Sequence, residues 1–172
     1  MFFTKTGRRS PQKRPANQRR IVLVDVENVV GGSAEVHDHV TWAKATVERL
    51  VSVRSGDLVV VGCGPDGLVD LGCAWTHVRY VMRSGPDGAD LALLDVLGEN
   101  IARRFTEIVL VSGDGIFADA VAGLAAQGVH TTVIAHRDGL SRRLELAARS
   151  VIFLPDRPTP QPGPAVAQRD VA

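Results

Sequence analysis

Two short apolar runs that lead directly into acidic residues are the main feature of the hydrophobic pattern of this chain. The first is Ile21–Val24, which is followed by Asp25, and the second is Ile108–Val111, which is followed by Ser-Gly-Asp-Gly at 112–115. Continuous runs of this length, rich in β-branched residues, predict strands that are buried on both faces. An acid that ends such a strand is expected at the carboxyl edge of the sheet, where open α/β sheets bind their ligands.

Apolar runs and helical periodicities alternate along the rest of the chain. Strands are predicted at 21–26, 58–63, 77–82, 107–112, 129–135 and 151–154. Helices are predicted at 38–54, 68–74, 90–104, 116–127 and 141–149, with Asp38 and Ser141 as caps of the first and the last, and 28–35 is predicted to be a loop. This alternation predicts a parallel sheet with helices on both faces.

The two ends of the chain differ from its middle. Residues 1–20 carry seven Lys and Arg and no acid, and they lack apolar periodicity, which predicts a disordered basic arm. From Pro155 onward, four further prolines between 158 and 164 predict a disordered tail. A single folded domain is therefore expected at 21–154. An acidic domain with a basic arm suits a metal site combined with polyanion binding, although a merely solubilising arm fits equally well.

Composition excludes some locations. No apolar run is long enough to span a bilayer, and the N-terminus lacks the apolar segment of a secretory signal. Because Cys63 and Cys73 are the only cysteines, no disulfide framework is expected, and the cytoplasm is the expected location. The oligomeric state stays open, and a homodimer is one of the alternatives.

Three aspartates are expected to share one edge of the sheet. Asp25 follows the first strand, Asp90 opens the helix after the third, and Asp114 follows the fourth. Carboxylate oxygens are the ligands that Mg²⁺ or Mn²⁺ prefers, and such a site suits phosphoryl chemistry. The amide of Asn28 is suited to hold a phosphate oxygen. Asp90 as a plain N-cap and Asp114 as a turn residue remain structural alternatives.

These residues resemble the successive motifs of NYN domains, which belong to the PIN-like nuclease superfamily. The similar segments are Val24–Asn28, Gly88–Asp95, Val111–Phe117 and Leu140–Leu144, together with Phe153 and Leu154. The resemblance implies a Rossmann-like α/β/α three-layer sandwich with a mostly parallel central sheet, and a metal-dependent ribonuclease that acts on RNA.

The resemblance also implies roles for individual residues. Asp25, Asp90 and Asp114 would bind Mg²⁺ or Mn²⁺ and would act in catalysis together with Asn28. The expected substrate-binding residues are Asn28, Ser112, Gly113, Gly115 and Arg83.

Two positions depart from the family pattern. Ile116 stands where the family usually carries a second acid, and Asp87 stands where it often carries a lysine. The missing acid would weaken the binding of a second metal. The alternative prediction is therefore a catalytically weak or inactive module that binds RNA on the same fold.

A glycine-rich segment offers a competing interpretation. Residues 62–67 fit G-x-G-x-x-G after a strand, and Asp87 lies at the distance expected for a ribose-binding acid. However, Pro65 lies inside the loop and the helix that follows is predicted to be short. A nucleotide cofactor is therefore not expected.

Overall fold

The computed structural model describes residues 19–32 and 37–156. Almost all of the predicted arm and tail lies outside the described residues. The strands are β1 (Arg20–Asp25), β2 (Leu58–Cys63), β3 (Arg79–Met82), β4 (Glu107–Val111), β5 (His130–Ala135) and β6 (Ser150–Phe153). The helices are α1 (Val26–Val30), α2 (His37–Val51), α3 (Leu68–Ala74), α4 (Gly88–Leu97), α5 (Ile101–Arg104), α6 (Ala118–Ala126) and α7 (Arg142–Ala147), and Gly115–Phe117 forms a 3₁₀ turn.

All six strands are parallel and form one sheet in the order β3-β2-β1-β4-β5-β6. Strand order reverses between β1 and β4, and open sheets with this order bind ligands in the crevice at that point. The predicted fold class is confirmed, and the sheet is parallel throughout. Asp25 ends β1 and Asp114 follows β4, so both lie at the switch point.

Two apolar cores cover the two faces of the sheet, because side chains of successive strand residues point to opposite sides. Ile21 and Leu23 pack with α4 and α6 on one face, whereas Val22 and Val24 pack with α2 on the other. Every residue of β1 is buried, which explains why its sequence is continuously apolar up to Asp25. No helix within the described part of the chain combines the length and apolar character that crossing a bilayer requires.

Several predicted elements differ from the observed ones. Residues 28–30, predicted as the start of a loop, belong to α1, because Asp25 caps this helix and Gly31 ends it at φ 79°. The single helix predicted at 90–104 is two helices, interrupted before Asn100, which adopts φ 53°. Ser141 occupies the N-cap position of α7, but its side chain makes no capping hydrogen bond.

The first strand begins one residue earlier than predicted. Arg20 belongs to β1 and is only 6% exposed, so it is part of the sheet rather than of the predicted arm. Its guanidinium forms an ion pair with Asp57 and donates to the backbone carbonyls of Val51 and Ser52. A buried guanidinium needs such partners for its charge and its donors.

Candidate functional site

Asp25 is the last residue of β1 and the N-cap of α1, and both positions hold its carboxylate at the carboxyl edge of the sheet. Its Oδ1 accepts a hydrogen bond from the backbone N–H of Asn28 at 3.1 Å. Its Oδ2 accepts one from the Ser112 hydroxyl at 3.0 Å. Because the residue is only 4% exposed, these neutral donors replace the water that the carboxylate has lost.

Asp90 reaches Asp25 because α4 lies very close to β2. Gly62 pairs with Asp25 in the sheet, and a Cβ at Gly62 would lie 2.7 Å from the Leu93 side chain. Glycine at this position therefore lets α4 approach the sheet. Asp90 lies one turn before Leu93 on the same helix face, so its carboxyl group comes within hydrogen-bonding reach of that of Asp25.

The start of α4 depends on a second close approach. A Cβ at Gly88 would lie 2.0 Å from the carbonyl oxygen of Arg83, so only glycine fits there. The N-cap of α4 is Asp87, at φ 54°, and its side chain makes no capping hydrogen bond. Since Asp90 is the third residue of the helix, the alternative that it is a plain N-cap is wrong.

Burial and like charge both act on the aspartate pair. The pKa of Asp90 is raised to about 8, first by burial, and then by the charge of Asp25, a hydrogen bond with Asp25, and the charges of Asp114 and Asp87. Burial also raises the pKa of Asp25, against the opposing effect of the hydrogen bonds that it accepts. In the absence of a cation, the two carboxyl groups therefore share one proton near neutral pH.

Asp114 lies at the rim of this pair. Its exposed side chain accepts a hydrogen bond from the backbone N–H of Ile116 at 2.8 Å and thereby caps the 3₁₀ turn. Asp114 therefore acts as a turn residue, which was the structural alternative that the sequence left open. Its charge also helps to raise the pKa of Asp90, so it belongs to the same cluster of acids.

Hydrogen bonds within the protein engage three of the predicted substrate-binding residues. Ser112 is fully buried, and its hydroxyl contacts both Asp25 and the backbone N–H of Asp114, the latter at 3.2 Å. The backbone N–H of Gly113 donates to Asn28 Oδ1 at 3.1 Å. These bonds join α1 to the loop after β4. Through these bonds Ser112, Gly113 and Asn28 hold Asp25 and the start of the loop that carries Asp114 in place.

The other two predicted substrate-binding residues lie at the edge of the site. A Cβ at Gly115 would lie 2.6 Å from Ser141 Oγ, so Gly115 permits the close approach of the residue that precedes α7. Arg83 directly follows β3, and its side chain is 56% exposed. Its guanidinium lies 3.9 Å from the carboxylate of Asp95, and such an exposed pair is weak. The Arg83 side chain therefore remains accessible to an anion.

The arrangement of the acids bears on how a cation could be held. Among residues 19–32 and 37–156, no three His, Cys, Asp or Glu side chains are arranged to hold a metal ion by themselves. However, Asp90 Oδ1 is buried and receives no hydrogen bond from any described residue, although it lies beside Asp25. Mg²⁺ usually keeps several waters and uses one or two protein carboxylates together with substrate phosphates. The Asp25–Asp90 pair meets that requirement.

In the glycine-rich loop after β2, a backbone N–H group is already hydrogen-bonded to a glutamate side chain. Glu27 Oε1 accepts a hydrogen bond from the backbone N–H of Gly64 at 2.8 Å, and a Cβ at Gly64 would lie 2.9 Å from the same oxygen. A pyrophosphate would require that N–H group and would be repelled by the carboxylate. The glycines of this segment therefore serve close packing and the contact with Glu27.

Sequence reasoning missed His136. This residue directly follows β5, is 6% exposed, and donates from Nε2 to the backbone carbonyl of Val29 at 2.8 Å. Its ring also stacks on Trp42 of α2. The contact attaches the end of α1 to the sheet, so that α1 is held by β4 and β5 as well as by its own strand. The only signal in the sequence is a polar residue immediately after a predicted strand.

Comparisons with known proteins identify the family and the fold. The family model described as NYN domain matches residues 65–155, a segment that includes Asp90 and Asp114 and begins after Asp25. Comparison with curated proteins finds no match. Among solved structures, a protein of unknown function from Vibrio parahaemolyticus RIMD 2210633 has a similar fold, with a TM-score of 0.56 and 19% sequence identity. The alignment covers 84% of this chain and 98% of the other.

Proposed function

Because the chain belongs to the NYN domain family, of the PIN-like nuclease superfamily, we propose that it is a ribonuclease that hydrolyses RNA phosphodiester bonds with Mg²⁺ or Mn²⁺ as cofactor. The observation that carries the proposal is the contact between the buried Asp25 and the half-buried Asp90 at the switch point of the sheet. Two carboxylates that lie side by side and are largely shielded from water repel each other unless a proton or a cation lies between them. Such a pair contributes nothing to folding that an apolar pair would not, which favours a functional reason for it.

Each residue of the cluster has a distinct role in this proposal. Asp25 and Asp90 hold the cation, and Asp114 at the rim supplies further negative charge toward it. When bound, Mg²⁺ or Mn²⁺ would supply the positive charge that activates water and stabilises the phosphoryl group in the transition state. Ser112 and the N–H of Asn28 keep the Asp25 carboxylate in one orientation. Arg83, at the same edge of the sheet, binds a phosphate oxygen of the RNA.

The direct test is a cleavage assay on RNA of mixed sequence with Mg²⁺, Mn²⁺ or EDTA. We expect cleavage products with either cation and none with EDTA. The Asp114→Asn variant should cleave about 10- to 100-fold more slowly, because Asp114 acts from the rim and its amide replacement keeps the cap on Ile116. Cleavage that persists in EDTA would contradict the metal requirement.

A second expected result concerns the competition between protons and cations for the aspartate pair. The folded-state pKa of Asp90, about 8, lies above the ordinary value of 3.8, so a proton occupies the pair below about pH 8 and must leave when a cation binds. Saturating Mn²⁺ should therefore raise Tm by about 4–8 °C at about pH 9 and clearly less at about pH 6. Thermal melts at matched ionic strength, with KCl as the control, measure this. Equal shifts at both pH values would count against cation binding at the pair.

One observation favours a second candidate function, an RNA-binding module with little or no cleavage. Ile116 is 38% exposed at the turn where the family resemblance leads us to expect an acid. One carboxylate oxygen of Asp114 accepts the hydrogen bond that caps that turn. The cation assay separates the two functions. Salt-sensitive binding of RNA without products in any divalent cation would establish the module and would reject the nuclease.

A further inference from the structure

A second concave site opens at the carboxyl edge of the sheet, beyond the ends of β5 and β6. It has a volume of about 610 Å³ and is lined by His136, Arg137, Asp138, Phe153, Leu154 and Asp156. Pockets for small organic groups start at about half this volume. The site contains none of the acids of the Asp25–Asp90 cluster, so it is a separate feature of the molecule.

One loop connects this pocket to the aspartate cluster. Residues 136–138 line the pocket, and the next residue, Gly139, contacts the loop after β4: a Cβ at Gly113 would lie 2.3 Å from the Gly139 carbonyl oxygen. The backbone N–H of Ser141 then donates to the Gly113 carbonyl at 2.9 Å. Asp25 on β1 and the end of β5 are two strand spacings apart, roughly 10 Å. A nucleotide within a few positions of a phosphate that lies at the aspartates can therefore reach the pocket.

The pocket contains a stacking surface. The guanidinium carbon of Arg137 lies 3.9 Å from the centroid of the Phe153 ring, and both side chains are exposed. A guanidinium held against an aromatic ring keeps one of its two faces available to a further planar group. Stacking on arginine or aromatic planes is how proteins hold the splayed bases of single-stranded RNA.

The charges of the pocket favour a base over a phosphate. Among the described residues that line the pocket, two are aspartates, Asp138 and Asp156, and one is an arginine. The N–H of His136 Nε2 is used by the Val29 carbonyl. A phosphate would be repelled by the two carboxylates, whereas hydrogen-bond donors would be attracted. Guanine presents two neighbouring donors, N1–H and the N2 amino group, which one carboxylate can accept together, whereas the other RNA bases lack this pair of donors on one edge.

We propose that this pocket binds a guanine base of the RNA strand within a few nucleotides of the cleaved phosphodiester bond, with Arg137 as the stacking plane and the carboxylates of Asp138 and Asp156 as acceptors. The inference rests on the proposed function, because it takes RNA as the substrate. With a guanine in this pocket, the loop 136–141 determines sequence preference, because this loop contacts both the base and the residue that precedes Asp114.

Binding in EDTA tests the pocket separately from cleavage. The probes are fluorescent octauridylates that carry one central guanosine, adenosine or cytidine, and their affinities for the full chain are measured by fluorescence anisotropy. We expect the guanosine probe to bind about tenfold more tightly than the others. Arg137→Gln and Asp138→Asn should each reduce this preference to about twofold or less. Arg49→Gln and Glu48→Gln, at exposed positions of α2, are the matched controls and should keep it.

Cleavage-site mapping on mixed RNA with Mn²⁺ distinguishes failure of this inference from failure of the proposed function. Cuts at a constant distance from guanosine in the wild type, and cuts without that bias in Arg137→Gln, would support the pocket. Metal-dependent cleavage without guanosine bias, together with equal affinities for the three probes, would overturn the pocket and leave the nuclease intact. Absence of any cleavage would overturn the nuclease, and the binding preference in EDTA would still decide the pocket.

Discussion

Asp90→Asn should lower Mn²⁺-dependent RNA cleavage by about 10³-fold and should at the same time make the metal-free protein more stable at alkaline pH. The loss of cleavage is expected because the amide removes one of the two carboxylates that hold the cation and the charge that it balances, and preorganised electrostatic groups of this kind are worth about this factor. The gain in stability is expected because in the wild type the half-buried Asp90 lies against the buried Asp25, and at alkaline pH both carry like charge.

The pH dependence of that gain follows from the direction of the pKa shift. The pKa of Asp90 is raised from 3.8 to about 8 by burial first and by its acidic neighbours next. Between these values the folded state binds more protons than the unfolded state, so the free energy of unfolding decreases as pH rises through the window. The amide that replaces the carboxyl group in Asp90→Asn does not titrate, so the variant should lose this dependence and exceed the wild type in Tm above about pH 8.

The control for this prediction is Asp95→Asn on the same helix. Asp95 lies about 140° around α4 from Asp90, and its side chain is 77% exposed. We expect cleavage within about threefold of the wild type, because an exposed pair with Arg83 contributes little. Metal-dependent cleavage and thermal melts at several pH values measure both variants. Wild-type cleavage by purified Asp90→Asn would remove Asp90 from the site.

Gly113→Ala should destabilise the protein by about 2–4 kcal/mol and should also abolish cleavage. Its Cβ would lie 2.3 Å from the Gly139 carbonyl oxygen, and the atoms it meets are backbone, which cannot rotate away. Relief requires that the loop 136–141 move. That motion would break the bond from Ser141 N–H to the Gly113 carbonyl and would disturb the bond from Gly113 N–H to Asn28 Oδ1.

Gly123→Ala is the matched control, because it makes the same chemical change in α6. A Cβ at Gly123 meets nothing within 4 Å, and the position is exposed in the helix. Alanine should therefore stabilise the protein by about 0.5–1 kcal/mol. Urea unfolding of both variants measures the difference. If the two substitutions changed the free energy of unfolding equally, the tight contact at Gly113 would be absent in solution.

Strands and most helices could be predicted because their signals are local. The predicted bounds of β2 and α3 coincide with the observed ones, since a continuous apolar run and a seven-residue amphipathic segment need no distant partner to be recognised. The interruption between α4 and α5 was missed, because Asn100 in a left-handed conformation is a backbone choice that helical periodicity does not reveal. The helix α1 was missed because it is only five residues long and depends on the cap from Asp25.

Among the site residues too, some features could be predicted from local sequence and others could not. Asp25, Asp90 and Asp114 follow from strand ends and from the resemblance to the NYN family. Asp25 and Asp90 are the proposed cation ligands, and Asp114 is proposed to act from the rim. Ser112 and Gly113 belong to the same motif, and their hydrogen bonds to Asp25 and Asn28 could not be predicted from it. A motif records which residues lie near one another in sequence, whereas the direction of each donor depends on the turn in which it lies.

By itself, the sequence determined that parallel strands carry acids to one edge, because the alternation of apolar runs with helical periodicity leaves little choice of fold. Tertiary structure alone decided which acids meet. Gly62 and Gly88 let α4 lie close enough to β2 and to residue 83 for Asp90 to reach Asp25, and the contact between Gly113 and Gly139 places the second pocket beside that pair. These close contacts join segments that are far apart in the chain. Their distances are set by packing, which cannot be predicted from a local pattern of polar and apolar residues.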